Sequence, residues 1–251
     1  MEMEGVKSIR IVKHGENKND NRRILSRNIA IYFLNVFGVI CSVLCMTKSL
    51  YNEKAVKVFN KATLYPLDYL SFNGTTLSIL TFILISILLM IQSLGHEQNR
   101  IKSIARYMLN YTICYNIVII LVYWSIRLPK PELIISPAQR RIRKPHEILL
   151  EIYTHGCNLI ICVVDLLAIR KYGGKTEHKR MIYIVATHAV LYTTLFMVGW
   201  FRFHFYPYRF MYKLNFILNF TGCYGFFALI FLIWIISSPL LRHKTDLICI
   251  N

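Results

Sequence analysis

Acidic side chains are scarce in this chain. Its 251 residues hold 13 Asp and Glu against 30 Lys and Arg, a formal charge of +17, and only 17% of residues carry charge at all. A soluble domain of this length needs charged surface on most sides, so the shortage excludes an ordinary water-soluble globule. Ligand-binding signatures are missing as well. There is no glycine-rich phosphate loop, no dinucleotide fingerprint, no HExxH pair and no eight-histidine array among the eight histidines, which argues against ATP, NAD, zinc and iron chemistry. No cofactor and no metal is expected. The seven cysteines (Cys41, Cys45, Cys114, Cys157, Cys162, Cys223, Cys249) lack CxxC spacing and sit mostly in apolar stretches, where they read as small buried hydrophobes.

What the chain has in abundance is apolar sequence. Hydrophobic residues make up 55% and mean hydropathy is +0.42. A basic excess alone would suggest nucleic acid, but such proteins display Lys and Arg on a soluble surface rather than between apolar blocks, so no nucleic-acid partner is expected. A membrane-spanning helix needs roughly 20 apolar residues. Six such runs occur, at about 28–47, 69–94, 107–126, 148–169, 181–201 and 215–241. The predicted fold class is therefore all-α, a polytopic bundle of six transmembrane helices. Residues 1–27 form a basic polar tail, 28–241 the membrane domain and 242–251 a short C-terminal tail. The first run is too long for a signal-peptide core and reads as an anchor.

Counting Lys and Arg loop by loop puts 17 on the side of the termini and 13 on the other, which favours both termini in the cytoplasm. The loop 127–147 carries Pro129, Pro131, Pro137 and Pro145 with Arg140, Arg141, Arg143 and Lys144. Proline at this density resists regular structure, and the charges suit either lipid headgroups or a gate for an anionic substrate. The sequons at Asn73, Asn110 and Asn219 fall within or at the edge of spans, out of reach of glycosylation.

Polar groups inside a bilayer are costly and face the bundle interior, a cavity or one another. In the fourth span Glu147, Glu151, His155, Asn158, Cys162 and Asp165 follow at steps of three and four, which predicts one shared helical face. Asp68, Ser71, Thr75 and Ser78 form a similar stripe in the second span. Both helices enter from the same side, so Ser71 and His155 are expected at similar depth. A hydroxyl facing an imidazole in a partly dry cavity suits nucleophilic acyl transfer, with His155 as base, Ser71 as nucleophile, Asn158 or a backbone amide for the oxyanion, and Asp68 or Glu151 orienting the ring. The plainer alternative is that these groups tie helices together. His188 is either a packed histidine or a further member of the same cavity.

Six spans, Tyr69-Leu70-Ser71-Phe72, His155-Gly156-Cys157-Asn158, and the aromatic cluster from Trp200 to Tyr206-Pro207 together resemble the androgen-induced protein family, over roughly 28–240. That family includes the androgen-dependent regulator of tissue-factor-pathway inhibitor, and its animal members cleave fatty acid esters of hydroxy fatty acids with an intramembrane Thr and His. The resemblance places the family's Thr on Ser71, the first His of its fourth-helix pattern on His155, and the second, catalytic His on Asn158, which cannot act as a base near neutral pH. It implies a lipid-ester hydrolase with Ser71 as nucleophile, in which either His155, one turn from Asn158, has taken over as base or the fold is kept without the activity. On the hydrolase reading the polar stripes put Asp68, Thr75, Glu151 and Asn158, with His188, around the substrate. The partners expected are membrane lipids and the ester itself, in the endoplasmic reticulum or plasma membrane. A lipid- or partner-binding protein without catalysis, or a small transporter using Glu147, Glu151 and Asp165, remain the alternatives.

Overall fold

The structure is a computed structural model, and it describes residues 18–51, 70–94, 99–134, 145–169, 178–204, 206 and 208–248. Asp68 and Arg140 to Lys144 lie outside the described residues, as does the side chain of Glu147. Every regular element among the described residues is helical. They are α1 (Lys18–Tyr51), α2 (Leu70–Ser93), α3 (Asn99–Arg127), α4 (Pro145–Ile152), α5 (Asn158–Ile169), α6 (His178–Phe203) and α7 (Phe216–Ile248). Residues Tyr153–Cys157 form a π-turn that joins α4 to α5, so these two make one span. Six helical stretches are long and apolar enough to cross a membrane, from Leu25–Thr47 to Phe216–Ser237. The chain is an integral, multi-pass membrane protein. Helical backbone is what hydrocarbon requires, because only there does each segment satisfy its own N–H and C=O groups. The helices outrun the expected spans, α1 beginning at Lys18 and α7 continuing through 242–248.

α3 is the central helix. On one side its Tyr111, Tyr115 and Val118 pack with Met181 and Tyr192 of α6 and with Phe227, Ile230 and Trp234 of α7. On the other, Ala105 and Leu109 meet Ile31 of α1, Phe82 and Ile85 of α2, and Ile161 of α5. Close approach between helices needs small residues where no hydrophobic effect drives association. Gly38 of α1 supplies one such point, since a Cβ there would sit 2.9 Å from the Phe82 ring and 3.1 Å from Ile161.

The second-span stripe splits in use. Thr75 and Ser78 are buried; Thr75 donates to the Ser71 carbonyl (2.9 Å), and Ser78 donates to Gly74 O (2.9 Å) while accepting from Asn116 of α3 (3.1 Å). The α1 face adds polar positions seven residues apart, Asn28, Asn35 and Ser42, all buried. Asn35 donates to Asp165 at 3.0 Å. The six described cysteines are free thiols.

The single face expected for the fourth span does not form. The π-turn inserts one extra residue into the helical repeat, with His155 at φ −106°, ψ 17°. One residue is about 100° of rotation, so the groups before and after it point to different neighbours. Glu151 and His155 turn toward α3, whereas Asn158 accepts from Ser42 of α1 at 3.3 Å, Cys162 joins the core beside α1 and α2, and Asp165 meets Asn35. π-turns of this kind cost hydrogen-bond geometry and recur at functional sites.

Candidate functional site

The ends of α2, α3, α4 and α7 that share one side of the bundle enclose a cavity of about 330 Å³. Its walls are apolar, from Leu70, Ile119, Ile134, Phe210, Leu218 and Phe226 among others. Its polar groups are few: Ser71, Tyr123, His155, Tyr192, Tyr208 and Asn219. That size falls at the lower end of small-ligand sites, and an apolar wall with a few convergent polar groups is the usual character of such sites.

Each polar group is held by an identifiable contact. Ser71 is the second residue of α2, at the helix start. His155 sits in the π-turn, and its Nδ1 lies 2.9 Å from the Glu151 carbonyl. A carbonyl only accepts, so Nδ1 carries the proton and the neutral ring keeps its basic lone pair on Nε2. The ring stacks on Tyr123 at a centroid separation of 3.6 Å and 14°. Tyr123 donates its phenol proton to Glu151 Oε1, which also accepts from Arg127 Nε at 2.8 Å. Trp124 Nε1 donates to the His155 carbonyl at 3.1 Å and ties the π-turn to α3. The Glu151 and Arg127 side chains are 6% and 19% exposed, so the pair is screened from water on most sides.

Tyr208 approaches from the segment after α6. Its oxygen accepts the Leu70 N–H at 3.0 Å and lies within hydrogen-bonding reach of the Ser71 amide and hydroxyl. Burial is the larger influence on this phenol and pushes it up to about 12, with the Leu70 and Ser71 contacts pulling the other way. It is neutral, and a donor, near pH 7. Below it, Asn219 donates to Met211 O at 2.8 Å and fastens α7 to the turn Arg209–Lys213.

The expected site residues divide. Ser71 and His155 line the same cavity, and Glu151 holds the histidine's neighbours. Thr75 is buried and bonded within α2. Asn158 is not on the cavity wall; the π-turn has rotated it onto Ser42, which removes it from any oxyanion role. His188 lies elsewhere, bonded through Nδ1 to Tyr111 (2.5 Å), stacked on Tyr115 (5.3 Å, 5°) and edged by Phe227. It is a packed histidine of the α3–α6–α7 core. Tyr123, Arg127 and Tyr208 were not anticipated from the sequence. Tyr123 and Arg127 are four apart at the end of α3, opposite Glu151 and His155, also four apart, and that matched spacing was a usable signal. Tyr208 had none, being 138 residues from its partner Leu70.

The fold and cavity define a polytopic membrane protein with a small apolar cavity at the ends of its helices, carrying the Ser71 hydroxyl, one oriented imidazole and three phenols. The profile of the FAR-17a/AIG1-like protein family matches residues 30–243, and the chain belongs to that family. No curated protein and no solved structure gives a significant match.

Proposed function

We propose that the protein is a lipid-ester hydrolase that works within the membrane, with Ser71 as nucleophile and His155 as general base. Ser71 Oγ attacks the ester carbonyl carbon while His155 Nε2 takes its proton, and the C=O electron pair moves onto oxygen. The tetrahedral species collapses, the alkoxide leaves with the proton from His155, and an acyl-serine remains. Water, deprotonated by the same nitrogen, attacks that ester and releases a fatty acid and Ser71. The observation that carries the reading is the placement of Ser71 and an Nδ1-protonated His155 on one apolar cavity. An ester with long chains suits it, because 330 Å³ admits the ester region and leaves the acyl tails among the helices and lipid. Fatty acid esters of hydroxy fatty acids are the substrate class the family resemblance suggests. The setting is the endoplasmic reticulum or plasma membrane, and the loop charges favour both termini in the cytoplasm.

A fluorophosphonate with a lipid-like tail is expected to label Ser71 in the wild type, to fail on Ser71→Ala, and to label His155→Ala about 10²- to 10⁴-fold more slowly. Labelling that persists in Ser71→Ala rejects the assignment. A second reading, a lipid-binding protein without turnover, draws on Asn158, which stands where the family's catalytic His falls and bonds to Ser42 instead. It requires that no ester be hydrolysed by the wild type while His155→Ala still lowers thermal stability.

A further inference from the structure

Ester attack builds negative charge on the carbonyl oxygen, and a site that catalyses it needs a donor aimed there. Asn158 is turned to α1 and gives none. Among the polar groups on the cavity wall, Tyr123 gives its phenol proton to Glu151, Asn219 spends its amide protons on Met211 and Leu214 carbonyls, and His155 is assigned the proton transfer. Of the phenols that remain, Tyr208 places its oxygen beside Ser71, where it accepts from the first N–H of α2.

We propose that Tyr208 is a catalytic residue of this site, its phenol O–H donating to the carbonyl oxygen of the bound ester and to the oxyanion formed on it. The inference rests on the hydrolase reading of Ser71 and His155. Two features suit the phenol to this task. The N–H groups of a helix's first turn have no partners in the helix and carry its positive end. By bonding to the phenol oxygen they withdraw electron density and make the O–H a stronger donor. Burial meanwhile keeps the proton on the oxygen, so the group donates a hydrogen bond without ionising. No proton changes hands at Tyr208, and the charge is returned to the carbonyl when the leaving alkoxide departs.

Chain position adds a further reason. Tyr208 comes from the segment between α6 and α7 and reaches the start of α2, so its contact forms only when these distant segments are assembled. The ring is stacked on Phe210 at 5.6 Å, which fixes it without using the hydroxyl. Tyr208→Phe therefore keeps the stacking and removes only the oxygen.

The test uses the full chain in lipid nanodiscs with an ester of palmitic acid and a hydroxystearic acid, labelled with carbon-13 at the ester carbonyl. In Ser71→Ala, which binds but does not cleave, the infrared C=O band of the bound ester is expected at lower frequency than in lipid alone, and to return to the lipid value in Ser71→Ala/Tyr208→Phe. In the Ser71-containing protein, Tyr208→Phe is expected to lower kcat about 10²- to 10³-fold with KM within about twofold. A band unchanged by Tyr208→Phe, or a kcat within threefold of wild type while Ser71→Ala is inactive, overturns the role of Tyr208 and leaves the hydrolase reading standing. Turnover that survives Ser71→Ala overturns the hydrolase reading itself. Should Phe at 208 prevent folding, 3-fluorotyrosine at that position keeps the shape and strengthens the donor. The band must then move further down, and an unmoved band overturns the proposal.

Discussion

An imidazole has two nitrogens, and which one carries the proton decides whether it can act as a base toward a given neighbour. At His155 that choice is made by a backbone carbonyl one turn earlier, Glu151 O, which only a protonated Nδ1 can satisfy. The Glu151 side chain acts at a second remove, gripping Tyr123, whose ring covers the imidazole, and Arg127. Removing that carboxylate leaves Arg127 without its counter-charge and Tyr123 without its acceptor. Glu151→Ala is thus expected to cost about 1–3 kcal/mol, between the values for exposed and fully buried pairs. It is also expected to slow labelling of Ser71 about tenfold, because the ring is no longer clamped. Thermal melts in detergent and labelling time courses measure the two effects. Glu151→Ala/Arg127→Leu should recover much of the melting temperature and little of the labelling rate, separating stability from positioning.

Helices are where the sequence pattern and the structure part company. Steps of three and four along the fourth span predict one face, and the rule fails at a single place, the π-turn Tyr153–Cys157. Nothing in the run Tyr-Thr-His-Gly-Cys forces an extra residue into that turn. What sustains it is the company it keeps: Tyr153 donates to the Gly38 carbonyl at 2.7 Å, and Trp124 donates to that of His155. The same turn gives two faces their own partners, α3 for the imidazole and α1 for Asn158 and Asp165. Close approach of α1 at Gly38 is the condition for it. Gly38→Leu places four carbons against Phe82 and Ile161, both buried, where nothing can yield cheaply. The expected result is a loss of at least 1–3 kcal/mol from overpacking, seen as a lowered melting temperature. Reduced Ser71 labelling should accompany it as α1 is pushed off the π-turn.

Taken whole, the molecule puts its cavity at one end of the bundle, and α7 lines much of it through Leu218, Gly222, Gly225 and Leu229. At Gly222 and Gly225 a Cβ would meet nothing within 4 Å, so these two positions leave room rather than permit close packing. On the hydrolase reading, the part of the acyl chain next to the ester would occupy this space. Gly222→Leu fills it without backbone strain and improves helix propensity by up to about 1 kcal/mol. The variant is therefore expected to fold while rejecting long chains. Each CH₂ excluded from burial costs about 0.8 kcal/mol, or about fourfold in kcat/KM. A series of p-nitrophenyl esters of rising chain length should show the wild-type preference for longer chains flattened in Gly222→Leu. An unchanged preference would mean that acyl chains lie elsewhere.

The hydrocarbon solvent let the sequence settle the largest features alone. An apolar run near 20 residues has only one way to satisfy its backbone in lipid, so the six helices, the all-α class and the inward burial of Asn, Ser, Thr and Asp follow from composition and spacing. Which neighbour each polar group meets was left to the tertiary structure. A helical face is known only relative to an unbroken repeat, and one inserted residue turned Asn158 away from the cavity that His155 lines. A contact such as Tyr208 with the start of α2 joins residues 138 positions apart, and no local pattern encodes it, because it exists only once the packed bundle brings the two chain segments to the same point.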